Sequence, residues 1–313
     1  MSYSEEKTTE IDLKNLSESL QDAAVNLKIA CLSIRSCYVS NASSVKEFVD
    51  LRSIIAAHAK IYNEKILPST NKVVQSIQNL AESYMALTLE EFKKSIRFLS
   101  TKADQGYGLA NSIKDIHEDI SKDFKKNKEA ATAVIEKLEK DAQFYEDQAK
   151  RLRMRANSKY SWAIGLALIP GVNLAAKPFL IDSADNDLIR SIASNEESKL
   201  AASAACIIKE VFSTSTENFT ENLKTIAGFF IALKQELSIL AESSSETYKE
   251  SHYTEFKDAA KTIIHRCRSY TAIIPSCTTD LRAISDNSDK NYVEEWVSAK
   301  ITENDKSTFL LFK

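Results

Sequence analysis

Side chains able to make and break bonds are sparse in this chain and badly spaced for it. His58, His117, His252 and His265 stand singly, and none falls in an HExxH or paired His–carboxylate pattern. His265-Arg266-Cys267 puts two ligand types together, but without a second pair it reads as surface and core residues rather than a metal site. No GxGxxG, Walker loop or GxSxG occurs, and the many Asp/Glu pairs are the usual background of charge-rich helices. The expectation is a protein that is not an enzyme and uses no cofactor and no metal. The concentrated feature is physical instead. From Ser161 to Ile181 the chain reads SWAIGLALIPGVNLAAKPFLI, an apolar island whose one charge is Lys177. Its natural chemistry is partition into lipid, because a water-exposed surface seldom carries such a run.

The island holds Pro170-Gly171 at its centre, which predicts a hairpin turning there. A straight helix of about 20 apolar residues would span a bilayer, but Pro170 removes a backbone hydrogen bond midway. Split at the turn, the arms Ser161–Ile169 and Val172–Ile181 are too short for helical crossings and near the ~9–11 residues of a tilted strand. Two strands alone leave open edges in lipid unless other copies or flanking helices cover them. The segment therefore reads as a tongue that packs in the water-soluble protein and rearranges at a bilayer. A buried core hairpin that never leaves the protein fits the same residues.

Elements able to carry such a tongue are written in the rest of the chain. Only 5 Gly and 4 Pro occur in 313 residues, while Ala, Leu, Lys, Glu and Ser abound, as in long helices. From Leu13, apolar residues recur at Leu16, Leu20, Ala23, Leu27, Ala30, Ile34 and Cys37, alternating three and four apart as on a bundled helix. Ser40–Ser44 breaks it. A second helix is predicted to end at Pro68, and a third to run to a turn at Asp104–Gly108. The fourth follows Leu109, Ile113, Ile116, Ile120 and Phe124 on through Leu138 and Leu152 to the island. Beyond it Leu188, Ile192, Leu200, Ala204, Ile207 and Val211 resume the pattern, followed by Phe219, Leu223, Ile226, Phe230, Leu233, Leu237 and Leu240. Further helix is predicted near Thr247–Ile274 and Asp280–Lys300. The fold class is then all-α: an elongated bundle of long antiparallel helices, residues 1–155 and 184–313, with a small hydrophobic hairpin head, residues 156–183, at one end.

Charge and cysteine usage narrow the partners. A net charge of −3 without basic clusters among aromatics gives no nucleic-acid surface. The N-terminus MSYSEEKTTEIDLKNLSESL is acidic and polar, unlike a cleavable secretory signal. Cys31, Cys37, Cys206, Cys267 and Cys277 read as small core residues, with Cys267 and Cys277 placed to meet across a turn at Pro275 should one disulfide form. Arg151, Arg153, Arg155, Lys159 and Tyr160 border the island as an interface belt would, basic side chains for anionic headgroups and Tyr beside Trp162 for the interface; a solvated helix face explains the cations equally well. Phe309–Phe312, with Trp296 upstream, read as a tail docked on the bundle, with a second membrane contact as the other reading.

A long-helix bundle of about this length with SWAIGLALIPGVNLAAKPFLI between its two longest helices resembles the cytolysin A superfamily of α-pore-forming toxins, which includes the haemolysin BL and non-haemolytic enterotoxin components and the Xax/Yax binary cytotoxins. The resemblance implies a soluble monomer, secreted without a cleavable signal peptide, that inserts its tongue into target-cell membrane lipid and forms a homo-oligomeric pore. The shortness of the apolar run implies a second toxin component. The inserting residues would be Trp162, Ile164, Leu166, Leu168, Ile169, Pro170, Gly171, Val172, Leu174, Phe179, Leu180 and Ile181. At ~1.5–3 kcal/mol per fully buried large apolar side chain, the large apolar members of this set would supply at most somewhat over ~10 kcal/mol of transfer free energy to lipid, an upper figure because the soluble form already hides part of this surface. Asn173 and Lys177, four apart and polar, would face the pore lumen or the headgroups. Two readings of other kinds stand beside it: a coiled-coil scaffold or membrane-remodelling protein with a permanent monotopic hairpin anchor, and a bundle that binds a partner helix.

Overall fold

The computed structural model describes the backbone of residues 2–38, 45–167, 176–241, 250–281, 295–296 and 298–299. Every element among them is helical: α1 (Ser2–Ser36), α2 (Val45–Ile61), α3 (Leu67–Ala86), α4 (Leu89–Ala167), α5 (Ala176–Ile207), α6 (Ser213–Ala241) and α7 (Glu250–Leu281), with π-helical turns at Tyr62–Ile66 and Ile208–Phe212. The all-α expectation holds. In α1 the spaced residues Leu16, Leu20, Ala23, Leu27, Ala30 and Ile34 are all buried, as is Cys37 just beyond it. In α6 the seven residues from Phe219 to Leu240 expected on its seam are buried as well.

Two helix ends differ from expectation. Pro68 does not stop a helix: α2, the π-turn and α3 form one uninterrupted helical run, with Pro68 in the first turn of α3. Proline lacks an N–H and crowds the carbonyl four residues back. The wide turn just before it, where the Leu67 N–H reaches back to the Tyr62 carbonyl, relieves that crowding and keeps Tyr62 and Ile66 buried. Nor does the chain turn at Asp104–Gly108, which lies inside α4. Gly106 is buried, with Leu237 Cδ2 at an ordinary contact distance of 3.5 Å from its Cβ position, so burial of the surrounding helix outweighs the roughly 1 kcal/mol that glycine costs it. The break falls instead at Leu87, whose ψ of 141° is extended. Thr88 and Glu91 then start α4 as a capping box: the Glu91 carboxylate accepts from the Thr88 N–H (2.9 Å) and hydroxyl (2.7 Å), and the Glu91 N–H donates to Thr88 Oγ1 (3.4 Å).

The cysteine expectation also changes. Pro275 lies within α7 and makes no turn, and Cys267 and Cys277 are both free and buried on that helix. Ten residues of helix separate them by about 15 Å, far beyond disulfide reach. The expected break at Ser40–Ser44 and the Phe309–Phe312 tail lie outside the described residues. Trp296, upstream of that tail, is buried, its indole N–H donating to Asp123 Oδ2 at 3.0 Å.

Packing divides the chain into two compact units. The first, Met1–Leu32, Ser53–Lys128 and Thr214–Lys313, is built on aromatic contacts. Tyr62 meets Phe219 edge-on at 5.3 Å, Phe219 meets Phe124 at 4.8 Å, and Phe229 stacks on Tyr270 at 5.5 Å. Two histidines are enclosed among them. Asn127 Nδ2 donates to His58 Nδ1 at 2.8 Å, which places the ring proton of neutral His58 on Nε2. His117 Nδ1 lies 2.8 Å from the Ile113 carbonyl and so carries its proton, while Nε2 meets no partner among the described residues. Burial pushes the His117 pKa down to about 4 and that of His58 below its usual value, the Asp123 charge partly offsetting the latter.

A histidine held neutral makes stability depend on acid. As pH falls below about 6.5 the unfolded chain takes up protons that the folded core refuses, so stability falls progressively down to about pH 4. The expected loss for His117 is on the order of 3 kcal/mol across that window, at ~1.4 kcal/mol per unit. His117→Phe should therefore melt with a visibly shallower dependence of Tm on pH between 6.5 and 4 than the parent chain.

Candidate membrane-contact site

The second unit, Ser33–Arg52 and Glu129–Ser213, contains both described flanks of the apolar segment. Its main feature is the C-terminal half of α4 lying antiparallel to α5. Ser191 Oγ donates to the Ala149 carbonyl (2.8 Å), Ser194 Oγ to Gln148 Oε1 (3.3 Å) and Ser198 Oγ to the Ala142 carbonyl (2.8 Å). Lys159 Nζ bonds Ser183 Oγ (2.7 Å) in the same register. Side chains this short reach a neighbouring backbone only if the two helices approach closely.

The buried stripe of α5 explains that approach and corrects the expected seam. Ile192 is 53% exposed and Val211 38%, while Leu188, Leu200 and Ile207 are half-buried; only Ala204 of the predicted set is buried. The inward positions are Ala184, Asp187, Ser191, Ser194, Ala201 and Ala205, continuing into Ile208 and Phe212, with half-buried Ser198 completing the row. These also alternate three and four apart, but in small and polar residues, so a search for large apolar side chains settles one position off. The facing stripe of α4 includes Ala149, Leu152, Ala156 and Ala163. Large apolar groups point outward: Phe144, Met154, Trp162 and Ile189 are each more than 60% exposed.

The predicted belt residues separate into two groups. Lys159 is half-buried and bound to Asp187 Oδ2 at 2.6 Å as well as to Ser183. The Tyr160 hydroxyl donates to Asp185 Oδ1. Arg151, Arg153 and Arg155 are exposed. Of the predicted inserting residues, Trp162 is 67% exposed and Leu180 and Ile181 are half-buried. Ile164 and Leu166 lie on α4, and Lys177 and Phe179 on α5, with their side chains outside the described set. Leu168, Ile169, Pro170, Gly171, Val172, Asn173 and Leu174 lie outside the described residues. The described backbone beside them, Ser161–Ala167 and Ala176–Ile181, is helical. Among the described residues no helix is long and apolar enough to cross a membrane.

Sequence reasoning missed Asp185, Asp187 and Ser183, the partners that meet the basic flank. The signal available was the IDSADND stretch opening after the island, but which acid meets which cation depends on helix register.

Comparison with known proteins bears on the fold. No protein-family profile matches the chain, and no curated protein does either. Among solved structures it is similar to soluble AhlC of the tripartite α-pore-forming toxin AHL from Aeromonas hydrophila (14% identity, TM-score 0.51, covering 80% of this chain and 98% of that one). It is similar also to the AhlC triple head mutant (11%, 0.53, 80% and 98%) and to the SmhB pore of the tripartite toxin Smh from Serratia marcescens (13%, 0.50, 81% and 98%). The chain thus has the all-helical fold of tripartite α-pore-forming toxin components.

The Lys159–Asp187 bond offers a direct test of this site. Lys159→Met would leave the largely buried Asp187 without its cation. The expected cost is about 1–3 kcal/mol in chemical denaturation, larger than for Lys199→Met, whose partner Glu196 is exposed.

Proposed function

We propose that the chain is a component of a pore-forming toxin, water-soluble when released, whose segment 156–183 enters a target membrane between the bundle-forming segments 1–155 and 184–313. One observation carries the reading: an apolar run with a single charge is spliced between two long helices of a fold otherwise found in tripartite α-pore-forming toxin components. The helix pairing supports a hairpin. For Ser191 with Ala149, Ser194 with Gln148, Ser198 with Ala142 and Lys159 with Ser183, half the sum of the two residue numbers is 170 or 171, the positions of Pro170 and Gly171. Lys159–Asp187 and Tyr160–Asp185 would clamp the flanks in the soluble state, and exposed Trp162 would make first contact with headgroups.

In this reading target-membrane lipid is the first partner, copies of the chain assemble around the pore, and further components complete it, as the name tripartite implies for the similar proteins. Asn173 and Lys177 face the lumen or the headgroups, because a charge at the bilayer centre costs about 2.5–3.5 kcal/mol.

The deciding experiment is dye release from lipid vesicles by the purified, detergent-free protein, alone and with extract of the producing organism. Release alone marks a self-sufficient pore former, and release only with extract marks one component of several. Membrane association from synthesis onward with aggregation in the absence of detergent would favour the permanent anchor, and no vesicle binding would favour a partner-binding bundle. Leu168→Asp or Ile169→Asp is expected to abolish release while the melting curve stays unchanged; lysis by either folded variant would remove the tongue from the mechanism. Lys177→Leu should alter ion selectivity in planar bilayers, and unchanged selectivity would take Lys177 out of the lumen.

A further inference from the structure

Beside the α4–α5 seam a groove of about 530 Å³ is lined by three arginines, Arg151 and Arg155 from α4 and Arg190 from α5. Arg151 and Arg155 are four apart, so their side chains share one helix face. The lining carboxylate, Asp147, already accepts a hydrogen bond from Gln143 Nε2 at 3.1 Å. Among the described residues none of the three guanidiniums has an ion-pair partner, although the acids nearby are well used: Glu146 pairs with Lys150, Asp187 with Lys159 and Asp185 with Tyr160. Asp147 keeps its negative charge, since a neutral amide does not cancel it, so the groove carries three positive charges against one and its excess of cations favours a further anion. The groove also has apolar walls, exposed Phe144 on one side and buried Leu152 at its floor.

We infer that this groove binds the phosphate of an anionic phospholipid, with Arg151, Arg155 and Arg190 as its ligands. The inference rests on the membrane reading above and deepens it by naming the headgroup chemistry and adding Arg190, which the sequence did not single out. Guanidinium forks suit a phosphate because each can give two parallel N–H bonds to its oxygens. The apolar walls suit a phosphate that carries acyl chains better than a free ion. The groove draws on both helices, so an occupant bridges α4 and α5 close to the flanks that Lys159 and Asp187 hold together.

The test is flotation with vesicles of phosphatidylcholine alone and of phosphatidylcholine with phosphatidylglycerol. The parent chain should prefer the anionic vesicles. Arg151→Gln/Arg155→Gln/Arg190→Gln should lose roughly a hundredfold of that preference, at about fivefold per arginine. Arg190→Gln alone should lose about fivefold, which keeps the test valid should the triple variant melt early. Arg97→Gln/Lys199→Gln/Lys224→Gln removes the same charge at exposed positions outside the groove and should keep most of the preference. Equal losses in the two triple variants would overturn the groove in favour of diffuse attraction. Competition by inorganic phosphate at constant ionic strength, as strong as by anionic vesicles, would overturn the lipid assignment in favour of a free-phosphate site. Binding and dye release without preference for anionic lipid would overturn the groove and leave the toxin reading standing. Failure to bind either vesicle would overturn both.

Discussion

How closely α5 can approach the second half of α4 governs everything around the apolar segment. Alanines and serines line that contact, so the helix backbones come near enough for Ser191 and Ser198 hydroxyls to bond carbonyls across the seam. Small residues with hydroxyl bridges are how helices associate where the hydrophobic effect offers little, as inside lipid. A seam of this kind loses less than a leucine seam when its surroundings change from water to hydrocarbon. The large apolar side chains Phe144, Met154, Trp162 and Ile189 lie on the outside of the same helices. The arrangement is inverted relative to α6 in the first unit, where every seam residue from Phe219 to Leu240 is large, apolar and enclosed.

Charge is sorted along this helix pair with the same economy. The register that joins Ser191 to Ala149 also brings Asp187 under Lys159 and Asp185 to Tyr160, satisfying the polar groups nearest the apolar run. A half-buried lysine with a carboxylate and a hydroxyl around it is a stable arrangement, but one that water or a headgroup can replace. A few residues away the same register places Arg151, Arg155 and Arg190 on a groove whose one lining acid is Asp147. Bonds close to the apolar segment and an excess of cations on the neighbouring groove thus come from one helix register.

The first unit answers to a different constraint. Its core combines tight aromatic packing with two neutral histidines, one of which leaves a ring nitrogen without a partner among the described residues. Such a core is stiff near neutral pH and loses stability in acid, since each buried imidazole must remain uncharged.

Much of the fold is legible in the amino acids alone. Leu, Ile and Phe spaced three and four apart mark α1, α6 and most of α4 without ambiguity, because burying large side chains is the dominant local term for those helices. The apolar island, its central Pro170-Gly171 and its basic border need no structure to be seen. Pro68 and Gly106 mislead for a shared reason: each is a local penalty of a few kcal/mol or less, which a π-turn at Tyr62–Ile66 and burial against Leu237 offset. The seam of α5 is invisible to a hydrophobic reading, since Ala, Ser and Asp carry little burial energy of their own and face inward only because α4 leaves them so little room. Composition and periodicity thus determined that the chain is helical throughout its described elements and carries an apolar segment between two long helices. Only tertiary structure decided which acid holds Lys159, which arginines stand together and which side of α5 is the inside, because those follow from the register of two helices whose contacting residues are far apart in sequence.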